Sequence, residues 1–176
     1  MKDIINKVGI INLHGSVDIT DPCYGTDVWC RMTIKDIQPG PYECFYEKRS
    51  QKKGNWENVS RARIVLADGS EHAKSTMQRV VRGRSWRYIG DIGVDAGMAG
   101  FFANKPNFDD NEWSKLCDWI FHGENEGKMA FVKTFHNGSD GFWTESGYGD
   151  GGYPVYAIRT VINGESRITA LEVRFL

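Results

Sequence analysis

The sequence predicts a mainly β fold, an antiparallel sandwich or open barrel with one amphipathic helix at about residues 110–121. Apolar residues alternate with polar ones or form short blocks between turn residues, which is the pattern of many short strands. The 20 glycines, several of them in Pro-Gly, Asp-Gly and Asn-Gly pairs, place turns between those blocks. Strands do not alternate with helices along the chain, which disfavours a parallel doubly wound sheet.

The predicted strands are short and are separated by turn signals. They cover residues 7–13, 15–19, 29–34, 40–48, 60–67, 84–95, 128–136, 141–145, 153–162 and 167–175. The turns at Asn137-Gly138 and Asn163-Gly164 each predict a hairpin between the strands that flank them. The polar residues 51–58 predict a loop between two of the strands.

The helix at 110–121 is predicted from its apolar spacing and its capping residues. Trp113, Leu116, Cys117 and Ile120 follow the i, i+3, i+4, i+7 pattern of one helix face. Asp109 or Asp110 is suited to cap the first turn. Residues 71–80 also have helical character, which Gly83 and the β-branched pair Val80-Val81 limit.

Length and composition indicate one globular domain covering residues 1–176. The chain has 40% hydrophobic and 26% charged residues, so the composition is not that of a disordered or collagen-like chain. No apolar run approaches the ~20 residues of a membrane helix, and residues 1–15 lack the apolar core of a signal peptide. The four cysteines form no C-x-x-C pair, so we expect free thiols and a cytoplasmic location.

Charge is distributed unevenly behind a formal net charge of -1. Residues 47–87 contain eleven Lys/Arg against four Asp/Glu, whereas residues 88–176 contain seven against thirteen. One interpretation is two solvated faces that attract each other; the other is a basic patch for an anionic ligand. Arg82 and Arg84 beside Trp86 combine phosphate-binding groups with a stacking ring. The overall charge makes nucleic acid an unfavoured partner.

Two short segments contain aspartates in positions of interest. Asp21 precedes a proline in the stretch that runs to Tyr24, where its carboxylate can accept backbone N–H groups. Asp91 and Asp95 share one strand face with a glycine between them. That pair would either hold a hard cation and act in acid–base chemistry, or accept hydrogen bonds from loop amides.

A third segment, residues 138–153, is rich in Gly, Asp and aromatic residues. Trp143, Tyr148 and Asp150 make it the predicted rim of a pocket. It lacks the lysine and the following helix of a phosphate-binding P-loop. His136, at the entry to this segment, is the candidate general base.

At these same segments the chain resembles a family of bacterial and phage proteins, the domain of unknown function 4241. The resemblance is carried by Asp21-Pro-Cys-Tyr24, Pro39-Gly-Pro-Tyr42, Arg61-Ala-Arg-Ile64, Val94-Asp-Ala-Gly97 and Gly149-Asp-Gly-Gly-Tyr153, in that order along the chain. It implies a compact β-rich domain and supplies no catalytic residue. Asp21, Asp95 and Asp150 belong to its motifs. The chain departs from the pattern at the charged 51–58 stretch and the basic 79–87 segment.

The first functional hypothesis is a non-enzymatic cytoplasmic binding or accessory protein, with a phage or bacterial defence-related role. Its aromatic, Gly/Asp-rich pocket would take a small, nucleotide-like anion or a protein partner, and a homo-oligomer is compatible with the sequence. The predicted ligand-binding residues are Asp21, Tyr24, Arg82, Arg84, Trp86, Trp143 and Tyr148.

The alternative hypothesis is a metal-assisted hydrolase that uses clustered aspartates. Its candidate metal ligands are Asp91 and Asp95, and its candidate catalytic residues are Asp95, Asp150 and His136. This hypothesis requires the side chains to converge in the fold. No recognisable motif requires a cofactor, and whether the protein is an enzyme stays open at this point.

Overall fold

The computed structural model describes residues 4–50 and 57–176. Residues 51–56, within the predicted polar loop, lie outside the described residues. The strands are β1 (Ile4–Leu13), β2 (Val17–Thr20), β3 (Met32–Ile34), β4 (Gly40–Ser50), β5 (Glu57–Leu66), β6 (Arg87–Val94), β7 (Met98–Phe102), β8 (Ala130–Thr134), β9 (Asp140–Glu145), β10 (Gly151–Ile162) and β11 (Glu165–Arg174). The helices are α1 (Glu71–Arg82) and α2 (Asp110–Phe121), and a short 3-10 turn covers Gly123–Asn125.

The strands form two antiparallel sheets, which confirms the predicted mainly β class. One sheet has six strands in the order β1-β4-β5-β11-β10-β6, and the other has five in the order β3-β2-β7-β9-β8. Their facing sides enclose the main apolar core, with Ile11, Ile64, Phe101 and Val155 among its fully buried members. Helix α1 packs on the outer face of the six-stranded sheet and helix α2 on the outer face of the five-stranded sheet.

Hydrogen bonds connect the two sheets at both sides of the sandwich. On one side the Gly93 N–H donates to the Cys30 carbonyl at 2.8 Å. On the other, the Asn12 N–H donates to the Asp140 carboxylate at 2.9 Å. The structure is therefore a sandwich whose edges approach each other, as in an open barrel.

Local sequence signals account for both helices and for one hairpin. Asp109 caps α2, as predicted from the acidic pair at its start. The structure adds a capping box, in which the Glu112 side chain accepts the Asp109 N–H. Helix α1 begins after Ser70, whose side chain accepts the Ala73 N–H, and ends at Gly83 in the left-handed region. Neither helix in the described part of the chain is long and apolar enough to cross a membrane. The Asn163-Gly164 turn joins β10 to β11, as predicted.

Strand β7 was not among the predicted strands. All five of its residues are buried, because its two faces contact different layers. Ala99 and Phe101 face the core between the sheets, whereas Met98 and Phe102 face α2. Such a strand lacks the polar–apolar alternation from which half-exposed strands are predicted.

Alternation along β5 positions the site described below. Ala62 and Ile64 point into the core between the sheets, so Arg61 and Arg63 point to the outer face that carries α1. Strand β11 pairs with β5 so that Arg174 lies opposite Arg61 and Glu172 lies opposite Arg63. Strand β4 adds Glu47 opposite Arg61. The register therefore gathers charged side chains from three strands on one patch.

Candidate functional site

The aspartate of the 19–24 segment has a structural role. Asp21 is fully buried, and its carboxylate accepts the N–H groups of Cys23 at 2.8 Å, Asp95 at 2.8 Å and Ala96 at 2.6 Å. Asp150 accepts the Gly97 N–H at 3.1 Å. Asp21 and Asp150 thus hold three consecutive amides of the 95–97 turn, and Asp21 accepts backbone N–H groups as the sequence predicts.

The other hydrolase candidates do not form one cluster. Asp91 is exposed and accepts the Tyr88 hydroxyl at 2.7 Å, and the Asp95 side chain is exposed beside Cys23 and Tyr24. His136 follows the end of β8 that pairs with the start of β9, so it lies at the opposite end of that hairpin from residues 145–150. Within residues 4–50 and 57–176, no group of three or more His, Cys, Asp or Glu side chains is arranged to hold a metal ion.

His136 instead borders a separate cavity of about 400 Å³ beside α2. Its neighbours there include Phe108, Lys115 and Lys133. This lining contains no predicted nucleophile and none of the aspartates of the hydrolase hypothesis. His136 therefore lies apart from the aspartates with which it would have to act as a general base.

Tyr24 lies in a partly buried cluster with Asp21, Cys23 and Cys30, in which the pKa values of Tyr24 and Cys23 are raised. Burial and a hydrogen bond with the Cys30 side chain raise the pKa of Tyr24. Burial and the neighbouring Asp21 raise the pKa of Cys23 to about 12, so this thiol keeps its proton at neutral pH and is a poor nucleophile.

Lys105 lies against the same cluster. Its Nζ donates to the Tyr24 carbonyl at 2.7 Å and to the Pro106 carbonyl at 3.0 Å, and it lies 4.7 Å from the centre of the Phe108 ring. Burial, and then the positive charge of Arg31, lower the pKa of Lys105 to about 8, and the nearby carboxylates of Asp21 and Asp18 partly oppose this shift. Lys105 thereby anchors the loop that carries Tyr24.

Trp143 is a core residue, which corrects its predicted ligand contact. Its exposed fraction is 0%, and its ring lies 5.6–6.0 Å from four other aromatic rings. Those rings belong to Phe102, Trp119, Phe131 and Phe135. Side chains along β9 alternate between the two faces of the sheet, and Trp143 lies on the face that packs against α2.

Tyr148 does border a cavity, as the 138–153 segment predicts. The cavity has a volume of about 530 Å³ and lies between this segment and the end of α2. Phe121 and Lys128 contribute to its lining, and Glu145, whose pKa is raised by burial, faces it as well. The described lining contains one acidic and one basic group, so this cavity offers an anion no excess of positive charge.

A second cavity of about 530 Å³ lies between α1 and the outer face of the six-stranded sheet; we call it the Trp86 pocket. Trp86, which is nearly buried, forms part of its wall, and Met77, Val80 and Val81 contribute from α1. Among the described residues, its lining is Ile5, Phe45, Glu47, Arg61, Arg63, Met77, Val80, Val81, Gly83, Trp86 and Arg174. Its volume is in the range of small-molecule sites.

The charged part of this pocket is a chain of alternating charges. Arg63 Nη1 contacts Glu47 Oε1 at 2.6 Å, and its Nε pairs with the fully buried Glu172. Arg61 pairs with the other oxygen of Glu47 at 3.3 Å, and Arg174 pairs with the other oxygen of Glu172. The order Arg61–Glu47–Arg63–Glu172–Arg174 sets three cations against two anions.

The ion pairing of the arginines is least complete at the two ends of this chain of charges, at Arg61 and Arg174. The Arg61 side chain and the Arg174 side chain are each 29% exposed, whereas Arg63 is buried between its two carboxylates. Among the described residues, the buried atoms Arg61 Nε and Glu47 Oε2 have no hydrogen-bond partner, because the 3.3 Å contact of Glu47 Oε2 with Arg61 Nη1 is an ion pair without hydrogen-bond geometry. The Arg174 guanidinium lies 3.7 Å from the centre of the Tyr156 ring, which fixes its orientation.

Of the predicted ligand-binding residues Arg82, Arg84 and Trp86, only Trp86 lines the pocket. Arg82 and Arg84 are exposed at the end of α1, and Gly83 between them is the residue that lines the cavity. Arg61, Arg63 and Arg174 were missed. The Arg-x-Arg spacing at 61–63 signals two arginines on one strand face, but nothing local indicates that β11 lies beside them.

Comparison of the chain with models of known families, with curated proteins and with solved structures finds no match. The resemblance to the domain of unknown function 4241 therefore stays a prediction.

Proposed function

We propose that the protein is a non-enzymatic cytoplasmic binding protein whose ligand is a small organic anion held in the Trp86 pocket. The observation that carries this proposal is the excess positive charge in a concave, largely apolar site. Three guanidinium groups share two carboxylates there, next to the ring of Trp86. Guanidinium groups suit carboxylate and phosphate geometry, and an aromatic wall suits an apolar or planar body.

Burial strengthens the electrostatic attraction between this excess positive charge and an anion. Arg63, Glu47 and Glu172 are all nearly or fully buried, so the charges interact through a less polar medium than bulk water. An anion that enters the pocket is attracted by the positive charge that the two carboxylates leave uncompensated. The arginines are held by carboxylates before the ligand arrives, which reduces the entropy lost on binding.

A thermal-shift experiment tests the proposal. The panel comprises adenosine monophosphate, a cyclic dinucleotide, phenyl phosphate, octyl phosphate, octanoate and inorganic phosphate. At saturation we expect at least one organic anion to raise the melting temperature by about 5 °C.

The matched variants separate specific from general anion effects. In the Arg61→Gln/Arg174→Gln double variant both glutamates keep Arg63, so the fold is retained while the shift is lost. Arg167→Gln replaces a partly exposed arginine elsewhere on β11 that pairs with Glu165; it is the control and should keep the shift. An absence of any shift, or a shift that persists in the double variant, contradicts the proposal.

A further inference from the structure

We infer that the ligand of the Trp86 pocket is a small amphiphile, with its anionic head between Arg61 and Arg174 and its hydrocarbon body along Val81 and Ile5. The inference rests on the proposed function and adds the chemical class of the ligand. It distinguishes an alkyl or aryl phosphate or carboxylate from a nucleotide.

The strand register determines where the head group binds. Arg61 and Arg174 are directly opposite each other on neighbouring antiparallel strands and on the same face of the sheet. Like charges in such positions destabilise a sheet unless something lies between them. Each of these arginines shares its glutamate with Arg63, so neither is fully neutralised. An anion held between the two arginines would neutralise this remaining positive charge.

Arg63 is not available as the primary contact. It is buried, and its guanidinium group already pairs with one oxygen of Glu47 and one oxygen of Glu172. The two end arginines are the more exposed members of the chain and retain donors for a ligand. The head group is therefore assigned to the ends of the chain and not to its centre.

The rest of the lining determines the body of the ligand. Apart from the chain of alternating charges and the indole N–H of Trp86, none of the described lining residues has a side chain that hydrogen-bonds. A ribose or a base would leave its polar groups unpaired against Met77, Val80 and Phe45, and unpaired buried polar groups are costly. A hydrocarbon body has no such groups.

Exposed apolar side chains border the same cavity. Val81 of α1 is 79% exposed and Ile5 of β1 is 58% exposed, although both line the pocket. A hydrocarbon body that leaves the pocket between them would cover both side chains. The same exposed residues would be of little use to a fully polar ligand.

Calorimetric titration with butyl, hexyl and octyl phosphate, adenosine monophosphate and inorganic phosphate tests the inference. Each methylene that becomes buried should tighten binding by roughly fourfold at most. We expect octyl phosphate to bind at least about tenfold more tightly than butyl phosphate and than adenosine monophosphate. Equal affinities for butyl and octyl phosphate, or tighter binding of the nucleotide, would overturn the amphiphile class.

Variants assign the two ends of the ligand. Val81→Ser should reduce the dependence on chain length, whereas Val161→Ser, an exposed valine of β10 outside the pocket, should not. The Arg61→Gln/Arg174→Gln double variant should weaken octyl phosphate by at least about tenfold. Unchanged chain-length dependence in Val81→Ser overturns the inference alone. Absence of binding by every anion overturns the proposed function as well, so the two failures are distinguishable.

Discussion

The carboxylate of Asp21 accepts the Ala96 N–H at 2.6 Å across 75 positions of the chain. The same carboxylate also accepts the amides of Cys23 and Asp95, and its residue is fully buried. A carboxylate engaged by three backbone donors is already satisfied by the protein itself. This relationship ties the turn after β6 to the turn after β2 and explains an aspartate at this position without catalysis.

Asp21→Asn should lower the free energy of unfolding by about 3 kcal/mol. The amide oxygen can replace only one carboxylate oxygen, and the new NH₂ group faces backbone donors. Asp91→Asn is the control, because Asp91 is exposed and accepts one hydroxyl hydrogen bond. Urea denaturation measures both, and equal stability of Asp21→Asn and the wild type would contradict the structural role.

The chain of alternating charges in the Trp86 pocket predicts that its arginines differ in their contribution to stability. Arg63→Gln removes the shared partner of two buried carboxylates, so we expect a loss of about 3–5 kcal/mol in the free energy of unfolding. Arg61→Gln leaves Glu47 paired with Arg63 and should cost less than about 1 kcal/mol. Denaturant titration of both variants measures the two losses. Similar losses would contradict the central role of Arg63 between the two carboxylates.

Lys105 predicts a specific dependence of stability on pH. Its pKa is lowered from 10.5 to about 8 in the folded protein, chiefly by burial. Between these values the unfolded chain binds more protons at this site, so the contribution of Lys105 to stability increases as pH rises. Below pH 8 both states are protonated and the folded state carries the full cost of the buried charge.

The measurement compares the wild type with Lys105→Met from pH 7 to pH 10. The wild type should gain stability relative to Lys105→Met over this interval. Lys74→Met, which replaces an exposed lysine of α1, is the control and should run parallel to the wild type. A parallel profile for Lys105→Met would refute the assigned burial effect.

Features encoded within a few residues could be predicted from the sequence. The N-cap of α2 and the two-residue Asn163-Gly164 turn depend on neighbouring residues, and both are as predicted. Strand β7 was missed because it is covered on both faces and lacks alternation.

The candidate site depends on contacts that local patterns do not encode. Arg63 and Glu172 are separated by 109 positions, so their pairing follows only from the order of strands in the sheet. Trp86 and Trp143 appear equivalent as aromatic residues in polar segments. Packing distinguishes them, because one lines a cavity and the other is enclosed by four rings.

The indole N–H signals of the tryptophans in a ¹⁵N-labelled sample report directly on the Trp86 pocket. During titration with octyl phosphate, the signal assigned to Trp86 through Trp86→Phe should shift, while that of the enclosed Trp143 stays in place. The shift should be lost in the Arg61→Gln/Arg174→Gln double variant. An unmoved Trp86 signal, with shifts confined to tryptophans beside α2, would contradict the assignment of the anion site to this pocket.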